Sequence, residues 1–365
     1  MKNLDRFIKV MTYGDFDHPP LLGEGPWADT VARWNREGLT PGMSWEQYFG
    51  VQTFGIAGHG FSETFFPPFE EQVLEEGPDY RVFINRNGVK VRDFPHSTTM
   101  PEWLEFPIRD RPSFEKVLAE RFRDDFDARL PSDFADRLRT WNAPEFDALL
   151  LPPAGNYFST LRGLAGVETA SYLFYDCPDL IHRMNENICR MCCRFAELLL
   201  PATRNVFCMG SGEDLAFKNG PFFSPAMFAE FYAPYYRRVL DIAHRHGVHH
   251  VYFDTDGNFD TLAPALLDVG ITIFMPMEVA AGMDPVVMRR KYGKAFRMIG
   301  GVDKRIVAAG KDAIRRELER LFPLMCEGGY IPKIDHSISS DISWDNFRYY
   351  METLLTLHQR CAHRQ

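Results

Sequence analysis

From Leu149 to His358 the chain alternates short apolar runs with longer segments whose apolar residues recur every three to four positions. A short run bounded by turn residues reads as a buried strand, and the recurrent spacing reads as a helix with one apolar face. The pattern predicts a strand in FDALLLPPAG, then strands over 204–209, 249–254, 271–275, 295–300 and 329–334. Between and after them it predicts helices near 178–200, 224–246, 259–268, 284–292, 311–326 and from Asp345 to His358. Such alternation implies parallel strands with helices packed outside them.

Five runs in this half end in an acidic or ionisable cluster: FCMGSGEDLAF, HHVYFDTDGN, ITIFMPMEV, FRMIGGVDKR and GGYIPKIDHS. In a (β/α) barrel the C-terminal ends of the strands converge on one face, so residues distant in sequence meet there around a substrate. The pattern singles out Asp214, Asp254, Asp256, Glu278, Asp303, Asp335 and His336. The alternative for any one of these acids is a cap on the helix that follows.

The first half is less regular. A helix is expected around Leu4 to Met11, then a Pro/Gly-rich loop, then a second helix in TVARWNREGL that stops at Gly38. VQTFGIAGHGFSETFFPPFEE reads as a strand running into a loop that carries Glu63. RVFINRNGVKVRDF reads as a hairpin, with Asn87-Gly88 supplying the positive φ angles of its turn. Residues 107–147 are highly charged and predict two helices broken by Pro131 and Pro144. The expected architecture is an α/β fold, one (β/α)8 TIM barrel with an N-terminal extension and a β-hairpin insertion. Residues 1–50 would be the extension and residues 51–365 the barrel of the same domain.

Composition narrows the function. Net charge is −9 and the sequence has no basic stripe, which excludes nucleic acid as the main partner. No apolar run reaches the length of a membrane span and the N-terminus lacks an apolar export segment, so the expected location is cytoplasmic. The seven cysteines then read as reduced thiols, Cys189, Cys192 and Cys193 being buried on one helix. Aromatic residues make up 14% of the chain, enough for some to line a pocket for an apolar or aromatic ligand.

The sharpest motif is Asp254-Thr255-Asp256-Gly257-Asn258. Alternate strand residues face the same side, so the two carboxylates converge and must share a proton, bind a cation or meet a positive group. His336 at the end of the last run is suited to acid–base work or metal ligation. Lys218, Lys304 and Arg305 are candidates to hold an anion, and Gly300-Gly301 permits close backbone approach without the spacing of a dinucleotide fingerprint.

GEDLAFKNGPFFSPAMFAEFYAPYYRRVLDIAHRHGV, followed by FDTDGN, GGVDKR and GGYIPKIDHSIS, resembles the uroporphyrinogen decarboxylase superfamily, which includes corrinoid-dependent methyltransferases. The likeness runs from about Leu151 to Leu355 and implies the (β/α)8 barrel. True uroporphyrinogen decarboxylases carry an Arg-Gln-Ala-Gly-Arg segment that holds the substrate's many carboxylates and an Asp that binds the pyrrole nitrogens. Here the corresponding segment reads LLGEGPWADTVARWN and Glu63 stands at the Asp position, which disfavours a porphyrinogen substrate. In the zinc methyltransferases of the superfamily a His-x-Cys-Gly-Asn motif and a later Cys bind zinc. These positions align with Asp254 to Asn258 and with His336 or its neighbour, so both thiolates are missing.

The resemblance implies methyl transfer between a small molecule, aromatic or methoxylated, and a corrinoid protein or a folate-like acceptor such as tetrahydrofolate. Asp254, Asp256, His336 and Glu63 would be catalytic. Asp254, Asp256 and His336 would hold zinc or another divalent cation if a metal is used. Asp214, Lys218, Asn258, Glu278, Asp303, Lys304 and Arg305 would contact substrate. Two alternatives remain at this level: a lyase that decarboxylates a small carboxylic acid, and a barrel that only binds small molecules.

Overall fold

The computed structural model describes residues 1–94 and 100–362. Helix α1 (Asn3–Met11) buries Leu4, Phe7, Val10 and Met11, the three-to-four spacing its sequence announced. Helix α2 (Ala28–Arg36) follows a loop, and α3 (Trp45–Phe49) starts at a reciprocal Ser44–Gln47 capping box. Strand β1 (Ile56–Ala57) is short, and an insertion follows it.

The expected hairpin is the centre of a larger insertion. Strands β2 (Gln72–Glu76), β3 (Arg81–Ile84), β4 (Lys90–Asp93) and β5 (Glu102–Glu105) form an antiparallel sheet in that order. The outer two strands were not legible because every residue in them is exposed, leaving no apolar alternation to read. Only Gly88 in the β3–β4 turn has positive φ, at 76°. Asn85 accepts from the Gly88 and Val89 amides, and its own amide donates to the Val89 carbonyl, so Arg86-Asn87-Gly88 joins the two strands as the sequence indicates.

Helices α4 (Arg111–Arg121) and α5 (Phe134–Trp141) fill the charged region. Strand β6 (Leu149–Leu150) leads into α6 (Tyr157–Asp176) and α7 (Pro178–Leu199). Strand β7 is Cys208–Gly212, starting four residues and ending three residues later than the apolar run suggests. Gly210 continues the ladder where a side chain would be crowded, since a Cβ there would stand 2.9 Å from the Leu151 side chain. A small ribbon, β8 (Ala216–Phe217) with β9 (Gly220–Pro221), precedes α8 (Pro225–Phe231) and α9 (Ala233–Arg245). The sequence suggested one helix here. Pro234 lacks the N–H and crowds the carbonyl four residues back, so the chain breaks at Tyr232.

From there the alternation is regular: β10 (His250–Asp254), α10 (Ala263–Asp268), β11 (Ile273–Met275), α11 (Pro285–Tyr292), β12 (Arg297–Val302), α12 (Lys304–Ala309), α13 (Lys311–Glu327), β13 (Tyr330–Ile334) and α14 (Trp344–Ala362). Strands β7, β10, β11, β12 and β13 form one parallel sheet, ordered as in the chain. Strand β1 pairs in parallel with β6. Parallel bridges join Leu22 to Phe54, Pro153 to Gly210, and Pro26 to Ile338. The fold is therefore mixed α/β with parallel pairing.

Alternate strand residues pack on the helices, and the others face a second apolar cluster. In that cluster Phe54, Leu149, Cys208, Tyr252, Ile273, Ile299 and Ile331 meet Leu4, Phe7, Val10 and Met11 of α1. Each such side chain, fully buried, contributes roughly 1.5–3 kcal/mol, so α1 closes that end of the strands firmly. The Gly300-Gly301 pair does permit close approach, since a Cβ on Gly300 would stand 2.0 Å from the Pro276 carbonyl oxygen. The thiols depart from expectation at one place. Cys326 and Cys361 form a disulfide because the ends of adjacent helices α13 and α14 bring their Cα atoms to 5.5 Å; Cys177, Cys189, Cys192, Cys193 and Cys208 are free. No helix among the described residues is long and apolar enough to cross a membrane.

Candidate active site at the strand ends

Asp254 is the last residue of β10, and its side chain lines a cavity of about 370 Å³ with Ile56, His59, Glu63, Asn156 and Tyr252. Burial pushes its carboxyl up to about 6, and the negative charges of Asp256 and Asp214 add to the rise. Lys333 and His336 pull the other way.

Thr255 turns into the protein and its hydroxyl accepts from the Leu215 amide at 2.8 Å. That alternation leaves Asp254 and Asp256 toward the same side, as the spacing required. His336 Nε2 lies 3.4 Å from Asp256 Oδ1, and its Nδ1 lies 3.8 Å from Asp335 Oδ1. The two carboxylates, Asp256 first, push the imidazole up to about 10, so at neutral pH it is an imidazolium with both nitrogens protonated. Asp335 is buried, and accepts from the Val279 amide at 3.1 Å and the Lys304 amide at 3.2 Å.

Glu63, half-buried at the end of the loop after β1, accepts from Asn156 Nδ2 at 2.8 Å, and burial raises its pKa. The Asn156 side-chain carbonyl in turn accepts from the Gly212 amide at 2.8 Å. Asn156 thus aims Glu63 at the cavity, a role no sequence signal marked. No sequence signal singles out Glu213 either. Its carboxylate accepts from the Tyr157 and Ser159 amides, both at 2.7 Å, and from Tyr236 Oη at 2.6 Å, where it caps α6. Burial nevertheless pushes it up to about 7.

The remaining predicted residues are tied down elsewhere. Asp303 caps α12 and takes a two-pronged bond from Arg305, with Nη2 at 2.7 Å from Oδ2. Asp214, held at φ 42°, pairs with Arg162 at 2.6 Å. Glu278 accepts from the Gly257 amide at 2.8 Å, and Asn258 donates to the Ala281 carbonyl at 2.9 Å. These bonds shape the loops around Asp256. Lys304 is held through its backbone, and the Lys218 side chain is exposed.

The residues present do not fit a metal. Among the described residues no group of three His, Cys, Asp or Glu is arranged to hold an ion. The two ring nitrogens of His336 are instead each directed at a carboxylate, Nε2 at Asp256 and Nδ1 at Asp335, and no thiolate stands in the Asp254 to Asn258 motif. Arg162, Arg305 and Arg129 form no arginine clamp either, being committed to Asp214, Asp303 and Asp125.

Comparison with known proteins gives two findings. Residues 157–356 match the family model described as uroporphyrinogen decarboxylase (URO-D). The solved structure of a methyltransferase from Methanosarcina mazei superposes with a TM-score of 0.61 at 12% identity, covering 98% of this chain and 99% of that one, a likeness of fold. No curated protein matches in sequence.

Proposed function

The chain belongs to the uroporphyrinogen decarboxylase family, and from its own strand-end chemistry we propose a methyltransferase that acts on a small molecule. The observation that carries this reading is Asp254, a carboxyl pushed up to about 6 at the mouth of a cavity with no arginine clamp. A porphyrinogen with many carboxylates would meet Glu63, Asp254 and Asp256 there, with only His336 and Lys333, already set against carboxylates, to answer it. A small neutral methyl donor meets an acid of suitable strength. Methyl transfer is also in keeping with the Methanosarcina mazei protein of similar fold, a methyltransferase.

In this mechanism the C–O or C–N bond to the methyl group breaks as an external nucleophile takes the methyl. Asp254 gives its proton to the departing oxygen or nitrogen and regains one from water. The His336 imidazolium stabilises the carboxylate that this leaves, and Glu63, aimed by Asn156, orients the donor. The acceptor is a corrinoid protein or a folate-like molecule, and no step needs a metal on this chain. The parallel bridges from Leu22 to Phe54, Pro153 to Gly210 and Pro26 to Ile338 support reading the seven parallel strands, with the Leu22 to Pro26 stretch as an eighth stave, as one (β/α)8 barrel to which residues 1–50 contribute that stave besides their helices. A cytoplasmic location belongs to the same reading.

The test is direct. Purified protein is incubated with ¹³C-methyl ethers and methylamines, each with a reduced corrinoid or tetrahydrofolate, and the acceptors are analysed by mass spectrometry. The proposal expects label on an acceptor. Carbon dioxide release from a carboxylic acid, with no methyl transfer, would replace it with the lyase reading.

A further inference from the structure

Beneath the mouth lies a second cavity, of about 230 Å³, lined by Phe7, Phe54, Leu149, Ile299 and other apolar residues. It shares Ile56 and Tyr252 with the mouth cavity, so the two stand one below the other along the strands. An apolar cavity of roughly 150 Å³ suffices for benzene. The lower space is therefore large enough for one ring.

A single charged side chain lines it. Lys333, on the inward side of β13, has no hydrogen-bond acceptor among the described residues, and its Nζ lies 3.8 Å from Glu24 Oε2, too far for a hydrogen bond. Glu24 is buried, its Oε1 taken by the Ile334 amide at 3.1 Å and Tyr350 Oη at 3.0 Å, and its Oε2 has no hydrogen-bond partner. An ammonium with unfilled donors in an apolar wall is costly unless something fills them. Because Glu24 already supplies the counter-charge, a second anion would be repelled and a neutral oxygen would be welcome.

We infer that this lower cavity is a ligand compartment for a ring-sized apolar molecule carrying one neutral oxygen, which accepts a hydrogen bond from Lys333. The inference takes from the proposed function only that substrate enters through the mouth. It sets the substrate class: one end apolar and oxygen-tipped in the lower compartment, the reacting end beside Asp254.

Calorimetric titration of the whole protein with phenol, toluene and benzoate tests it. The wild type should bind one equivalent of phenol, at least about tenfold tighter than toluene, the value of a hydrogen bond to a charged donor. Benzoate should bind more weakly than phenol. Lys333→Met should abolish the preference for phenol over toluene. Because that variant leaves Glu24 alone in the interior, the double variant Glu24→Gln/Lys333→Met is measured too, and should bind both probes equally. Absence of saturable phenol binding, or a phenol preference unchanged in the double variant, would overturn the compartment. Benzoate binding tighter than phenol would overturn the neutral oxygen. No methyl acceptor is present, so phenol binding by a protein that transfers no methyl refutes only the proposed reaction, and transfer without phenol binding refutes only this inference.

Discussion

Replacing Asp256 by Asn removes one charge and should move two titrations. His336 Nε2 lies 3.4 Å from Asp256 Oδ1, a separation worth roughly 1 kcal/mol in water and roughly 5 kcal/mol at an effective dielectric near 20. Asp256 is 51% exposed, so solvent screening puts the value near the watery end, about 1–2 kcal/mol, or about one pKa unit. His336 should therefore titrate about one unit below its wild-type position near 10, and Asp254, freed of a like charge, should fall below about 6. Titration followed by NMR of the imidazole and carboxyl signals reads both at once. The effect on stability has a definite sign. A histidine whose pKa is raised on folding contributes fully below its unfolded value near 6.5 and loses the contribution as pH rises through about 10. The variant should be less stable than wild type near pH 6 and equal to it above pH 10. A wild-type His336 that titrates near 6.5, or one that Asp256→Asn leaves unmoved, would refute the clamp.

Three further outcomes follow from the packing. Gly300→Ala sets a Cβ against the Pro276 carbonyl at φ 102°, and should lower the urea unfolding midpoint by the equivalent of about 2–3 kcal/mol. Glu213→Gln loses an acceptor at the start of α6 and should cost about 1–3 kcal/mol at low pH, while flattening the fall in stability that the wild type shows as pH rises through about 7. Thiol titration of the unfolded protein should find five free cysteines, and Cys361→Ser should cost about 3–4 kcal/mol for a bridge spanning 35 residues.

The second half of the chain was legible because each buried strand and amphipathic helix repeats a pattern that burial itself imposes. Strands β10 and β13 lie close to where their apolar runs put them, and Asp256 and His336, distant in sequence, do meet. What failed to show was whatever depends on a partner. The Glu213 cap, the Asn156 bond to Glu63 and the Lys333–Glu24 pair are each made across the fold, between residues whose local sequences give no hint of one another. One signal was available: Lys333 interrupts the apolar run YIPKI at an inward position, and an isolated charge there needs a reason. Asp303, an acid after a strand, takes the helix-cap role that the sequence offers as the alternative for each such acid.

The central claim is that Asp254 gives up a proton during methyl transfer. The pH dependence of kcat/KM, measured with the best donor and acceptor in wild type and in Asp254→Asn, tests it most directly. Wild-type activity should fall as pH rises through about 6, the position to which burial pushes this carboxyl. Asp254→Asn should be slower by about a hundredfold or more and lose that break. A variant as fast as wild type, with the same profile, would contradict the account.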